Sequence, residues 1–129
     1  MAACAGDGSG VTHSAGTLGK PDAIARLADP LTIPPHDKDL FRNLVFSTGI
    51  QDNRFIRAVD IRPGQPGAVH HAVLQIDPTT DSRELDEADP EPGFGGMAMG
   101  SSKPPTGHFL GWTPGKVPHD GGAASAWQL

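Results

Sequence analysis

The chain has 129 residues, room for one domain at most, with 36% hydrophobic residues and a mean hydropathy of −0.31. A formal net charge of −5 and a pI near 5.5 argue against nucleic acid or an anionic membrane surface as partner, and no apolar run approaches the roughly 20 residues of a membrane span. The 17 Gly and 13 Pro assign much of the chain to loops, Tyr is absent, and a single cysteine, Cys4, excludes an internal disulfide.

Residues 1–17 are small, polar and Gly-rich, and read as a flexible, disordered tail. No apolar leader precedes Cys4, so a lipoprotein or export signal is rejected. Residues 23–36 carry apolar side chains broken by Pro30, Pro34 and Pro35, which fits a helical turn or an extended edge segment. Three strand-like runs follow. Residues 40–47 (LFRNLVFS) end before Gly49. Residues 54–62 (RFIRAVDIR) alternate Phe55, Arg57, Val59 and Ile61 against Ile56, Ala58 and Asp60. Residues 68–76 (AVHHAVLQI) are apolar on both faces, the pattern of an interior strand. The last two runs flank a Pro/Gly loop of hairpin-like length.

Past residue 77 the periodicity fades. Asp81-x-x-Glu84 resembles a capping box, with Arg83 to Ala88 as one or two helical turns. A long Gly/Pro-rich loop then runs to about residue 107. Residues 109–112 and 124–129 are short strand candidates. The sequence stops within the second of these, so the expectation is an incomplete domain spanning residues 18–129.

The adjacent pair His70-His71 is the chemical focus. Imidazole is the commonest protein ligand for metals. In a regular strand, neighbouring side chains point to opposite faces, so one ion cannot take both rings. Either the backbone twists or bulges there, or the pair lies where the preceding loop meets the strand. The alternative that spacing alone favours has no metal: one histidine packs in the core with a backbone hydrogen bond while the other is half exposed. Copper or zinc wants three or four protein ligands. The further candidates are His36, His108 and His119, with His119 expected in an exposed turn and His13 in the tail. Met97 and Met99 are thioether candidates for copper(I), with loop packing the favoured role. The run PGFGGMAMG is not followed by Gly-Lys-Ser/Thr and is no phosphate loop. The acidic cluster Glu84, Asp86, Glu87, Asp89 and Glu91 lacks calcium-loop spacing and reads as a solvated face.

The stretch RFIRAVDIRPGQPGAVHHAVLQID resembles the first copper segment of the copper type II, ascorbate-dependent monooxygenases, the family of peptidylglycine α-hydroxylating and dopamine β-monooxygenases. A bacterial, haem-linked branch looks closer still. The matches are Gly19-Lys20-Pro21-Asp22, the Pro-rich segment 31–35, the acidic then Gly-rich loop 84–96, and Gly111-Trp112-Thr113-Pro114-Gly115. The resemblance implies an all-β fold, an antiparallel β-sandwich with jelly-roll-like topology. It implies copper as cofactor, with His70 and His71 as two of three ligands of the electron-donating site. The third ligand, the second copper domain with its His-x-His and methionine, and a haem Cys-x-x-Cys-His are all missing from the sequence. Alanine stands at position 72, where animal members have methionine.

The function the resemblance implies is that of a fragment of a copper-dependent monooxygenase-like oxidoreductase, inactive alone. In the parent, a small-molecule reductant such as ascorbate and a small-molecule substrate are the expected partners, along with the missing domain remainder. The expected location is extracytoplasmic, periplasmic or secreted. Two alternatives remain: a non-catalytic copper- or partner-binding β-sandwich module of a larger haem-containing extracytoplasmic protein, and a structural all-β fragment.

Overall fold

A computed structural model describes residues 2–5, 18–35, 39–105, 110–120 and 127–128. Among the described residues the fold is mostly short strands with a single short helix and no closed barrel. No helix is long and apolar enough to cross a membrane.

Strand β1 (Ala2–Ala5) lies between β2 (Ile24–Arg26) and β5 (Ala58–Pro63), parallel to both, and β5 continues to β9 (His119–Asp120) in antiparallel register. The sequence reading gives residues 2–5 no strand, and the resemblance implies antiparallel pairing throughout. Backbone pairing asks little of the side chains, so the small Ala-Ala-Cys-Ala run joins a ladder without an apolar period. Parallel neighbours need a crossover of a dozen or more residues, which the spacing from β1 to β2 provides.

Three further ladders are two-stranded and antiparallel. They join β3 (Arg42–Asn43) to β7 (Phe94–Gly95), β4 (Phe55–Ile56) to β10 (Trp127–Gln128), and β6 (Ala72–Val73) to β8 (Gly111–Trp112). The expected hairpin between residues 54–62 and 68–76 does not form. The Pro63-to-Val69 connection coils into a 3-10 turn at Pro66–Ala68, and the two runs take different partners. Nor is the third run an interior strand: only Ala72–Val73 is strand, and Val73 is 42% exposed.

The helix α1 (Asp81–Ala88) ends where expected but starts two residues earlier, and not through the expected cap. Asp77, four residues upstream, accepts from the Thr79 amide and hydroxyl at 2.8 and 2.6 Å and from the Ser82 amide at 2.8 Å. It therefore satisfies a first-turn amide that no earlier carbonyl can reach. Thr80, the residue before the helix, donates its hydroxyl to Glu84 at 2.8 Å. These bonds, from Ser82 first and then Thr79, hold the Asp77 carboxyl well below the usual carboxylate range.

The apolar core is small. Among the described residues only Ala25, Ile56, Phe94 and Trp112 are buried hydrophobics. Polar contacts compensate around β3 and β7. Arg42 reaches across to the 89–93 loop. Its Nη1 and Nη2 donate to the two Asp89 carboxylate oxygens at 3.0 and 2.6 Å. Its Nε donates to the Pro92 carbonyl at 3.0 Å, and Nη2 also donates to the carbonyls of Glu91 and Gly93. Asn43 donates from Nδ2 to the carbonyls of Phe94 and Gly96. Gly93 is required where it stands: its φ is +78°, and a Cβ there would lie 2.2 Å from the Asn43 carbonyl oxygen.

Candidate metal centre

Two anchors set the position of His70 and His71. Upstream, the 3-10 turn is closed by the Ala68 amide on the Gln65 carbonyl at 3.0 Å and the Val69 amide on the Pro66 carbonyl at 3.4 Å. Downstream, Ala72 and Val73 pair with Trp112 and Gly111, and the Leu74 amide donates to the Leu110 carbonyl at 2.8 Å. Ile76 and Lys103 then exchange both of their amide bonds at 2.8 Å. The histidines occupy the last two of the three positions between turn and strand, so the alternation that separates neighbouring side chains does not apply to them.

Both rings are exposed and they face each other. The Nδ1 atoms lie 2.9 Å apart, with ring centroids 5.2 Å apart and planes at 72°. In the metal-free chain one ring donates its Nδ1–H and the other accepts, with tautomers that swap the roles. The same separation suits chelation. With metal–nitrogen bonds of about 2.0–2.1 Å, nitrogens this far apart subtend an angle of about 90°. Two imidazole nitrogens so placed would supply two of the three or four donors that copper or zinc wants. Among the described residues no group of three His, Cys, Asp or Glu is placed to hold a metal ion.

The other sequence candidates fall elsewhere. His13, His36 and His108 lie outside the described residues. The backbone of His119 pairs with Val59 in β9, where a turn was expected. Met97 is 72% exposed, where loop packing was expected, and Met99 is 39% exposed.

The acidic cluster is only partly the solvated face expected of it. Asp89 pairs with Arg42, a contact that holds Asp89 below its ordinary range and raises Arg42 above its own. Asp86 accepts the Gly93 amide at 2.6 Å, and Glu84 takes the Thr80 hydroxyl. Sequence reasoning passed over Arg42. Its signal was a lone cation inside an apolar run, in a chain whose next dense acidic patch is some fifty residues on.

No family model, no curated protein and no solved structure matches the chain.

Proposed function

We propose that His70 and His71 supply two ligands of an electron-transfer copper centre in a copper-dependent monooxygenase-like oxidoreductase. We propose further that the described strands belong to a β-sandwich domain of jelly-roll-like topology in that protein. The observation that carries the reading is the convergence of the two Nδ1 atoms at 2.9 Å on an exposed surface. Bound copper would supply one-electron chemistry, alternating between its two common oxidation states. The chain's own residues hold and present the site. The 3-10 turn and the β6–β8 ladder anchor the backbone on either side of the two histidines, and the exposure of the rings leaves the pair open to a small reductant such as ascorbate. The third ligand, the oxygen-activating copper site and an extracytoplasmic location belong to the same proposal. The exposure of both rings also suits a second reading, a non-catalytic copper-binding module.

Copper(II) titration followed by electron paramagnetic resonance tests the reading. The wild-type chain should show a nitrogen-coordinated signal that ascorbate abolishes and air restores. His70→Ala and His71→Ala should each weaken binding by about a hundredfold, the loss of a chelate. Equal binding by wild type and both variants sinks the site. Tight binding with no reduction by ascorbate favours the module.

A further inference from the structure

We propose that the exposed apolar residues Leu40, Phe41, Leu85, Met97 and Met99 form a docking surface for a cationic, amphipathic helix of a partner protein. Exposed apolar residues scattered singly need no explanation. Here five of the ten large ones among the described residues gather around one loop. The loop is tied at both ends. At its start the Gly96 amide donates to the Phe41 carbonyl at 3.2 Å and Asn43 Nδ2 donates to the Gly96 carbonyl at 2.9 Å, so Leu40 and Met97 leave the β3–β7 ladder at the same end. At its finish Gly100 lies against α1: a Cβ there would meet Leu85 Cδ1 at 3.8 Å and Asp81 Cβ at 4.0 Å. The Ser101 hydroxyl donates to the Asp81 carboxylate, and the Ser102 amide and hydroxyl donate to the Met99 carbonyl at 3.1 and 2.6 Å. The loop thus carries its two thioethers between the end of β3 and α1 and leaves them to solvent.

Charge selects the occupant. Asp39, Asp81 and Glu84 are all exposed beside these apolar residues. At 100° per residue, Asp81 lies about 40° and Glu84 about 100° around the helix from Leu85, whereas Arg83, the only cation of α1, lies about 160° away. Arg42 is spent on Asp89 with 10% of its side-chain surface exposed. The chain before Leu40 reads Asp37-Lys38-Asp39, and Lys103 stands beyond Ser101-Ser102, bridged to Ile76. The acids remain in excess. An anionic surface or a second copy of this acidic chain would therefore meet like charge, and a cationic partner would meet its complement. Methionine is unbranched and polarizable, and adapts to irregular apolar surfaces. Such a surface suits the apolar stripe of an amphipathic helix, with Lys or Arg flanking the stripe and reaching the acids. None of these residues belongs to the turn or ladder that holds His70 and His71.

The test titrates the full 129-residue chain with a synthetic Leu/Lys peptide of about five helical turns, patterned with one apolar stripe. Affinity is read by calorimetry. Contact is read from the methyl resonances of the three methionines, with Met1 as internal reference. The Met97 and Met99 methyls should shift while Met1 stays. A scrambled peptide of the same composition, and the patterned peptide with Glu for Lys, should each bind at least about tenfold more weakly. The variant carrying Met97→Ser and Met99→Ser, both at exposed positions, should lose about tenfold in affinity. The variant carrying Asp39→Lys and Glu84→Lys should reverse the preference and take the Glu peptide, with circular dichroism confirming an unchanged fold. Raising salt from about 0.01 to 1 M should weaken the Lys peptide, because it cuts the Debye length from about 30 to 3 Å. No binding by the patterned Lys peptide overturns the proposal. So does equal binding of the scrambled peptide or by the methionine variant, since charge alone would then explain it. A mass that doubles with concentration in the absence of peptide, and is lost in the methionine variant, also overturns it and makes a second copy the occupant. Binding to neutral phosphatidylcholine vesicles as tight as to the peptide overturns it in favour of a lipid surface.

Discussion

The Arg42 clamp and the histidine pair are two polar centres built on opposite terms. Arg42 keeps only 10% of its side-chain surface exposed and spends its donors on one carboxylate and three carbonyls. Such a cation has little left to offer a ligand. His70 and His71 are both exposed and share a single contact, with each other. Their backbone is nonetheless pinned on both sides. A charged group with its hydrogen bonds filled holds a fold together, whereas two exposed rings bonded only to each other lack the ties that bind the clamp to its neighbours.

If that contrast is right, damage near the clamp should lower stability and damage at the pair should not. The largest effect is expected from Phe94→Ala, which empties one of the few buried positions beside the clamp and should cost about 3–5 kcal/mol in urea unfolding. Gly93→Ala should follow at about 2–3 kcal/mol, because the added methyl meets the Asn43 carbonyl and the backbone is held at positive φ.

Acid should act on the same half of the molecule. Asp77 and Asp89 both have folded values depressed below their unfolded ones. Their contribution is fully present above the unfolded value of about 4 and is lost as pH falls through the folded values. Thermal melts should therefore drop in temperature below about pH 4, and Asp77→Asn should flatten that dependence. The smallest effect belongs to the pair. Replacing both histidines by Ala should shift unfolding by no more than about 0.5 kcal/mol while removing copper binding. A large loss of stability there would erase the distinction between the two centres.

Local sequence carried the strand-rich character, a short helix ending at Ala88 and the placement of His70-His71 where the loop meets the strand. It did not carry strand partners. Residues 54–62 alternate well, yet alternation states which faces differ, not which strand lies alongside. The pairings of β5 with β1 and of β6 with β8 are set by contacts far apart in the chain. Residues 40–47 have strand composition throughout, but only Arg42–Asn43 form a ladder with Phe94–Gly95, extended by one bond from the Gly96 amide to the Phe41 carbonyl. The helix cap was misread among several good candidates. Asp77, Thr79, Thr80 and Asp81 all suit such a role, and only the turn geometry selects Asp77. The resemblance to copper monooxygenases rests on residue patterns alone.

The register of β6 on β8 has an optical consequence. Ala72, next to His71, pairs directly with Trp112, whose indole is buried, and paired strand residues lie about 5 Å apart at Cα. A paramagnetic ion seated on the histidines would lie close enough to that indole to quench its emission. The chain thus carries a native fluorophore beside its proposed ligands, and metal capture can be followed by light on the unlabelled protein.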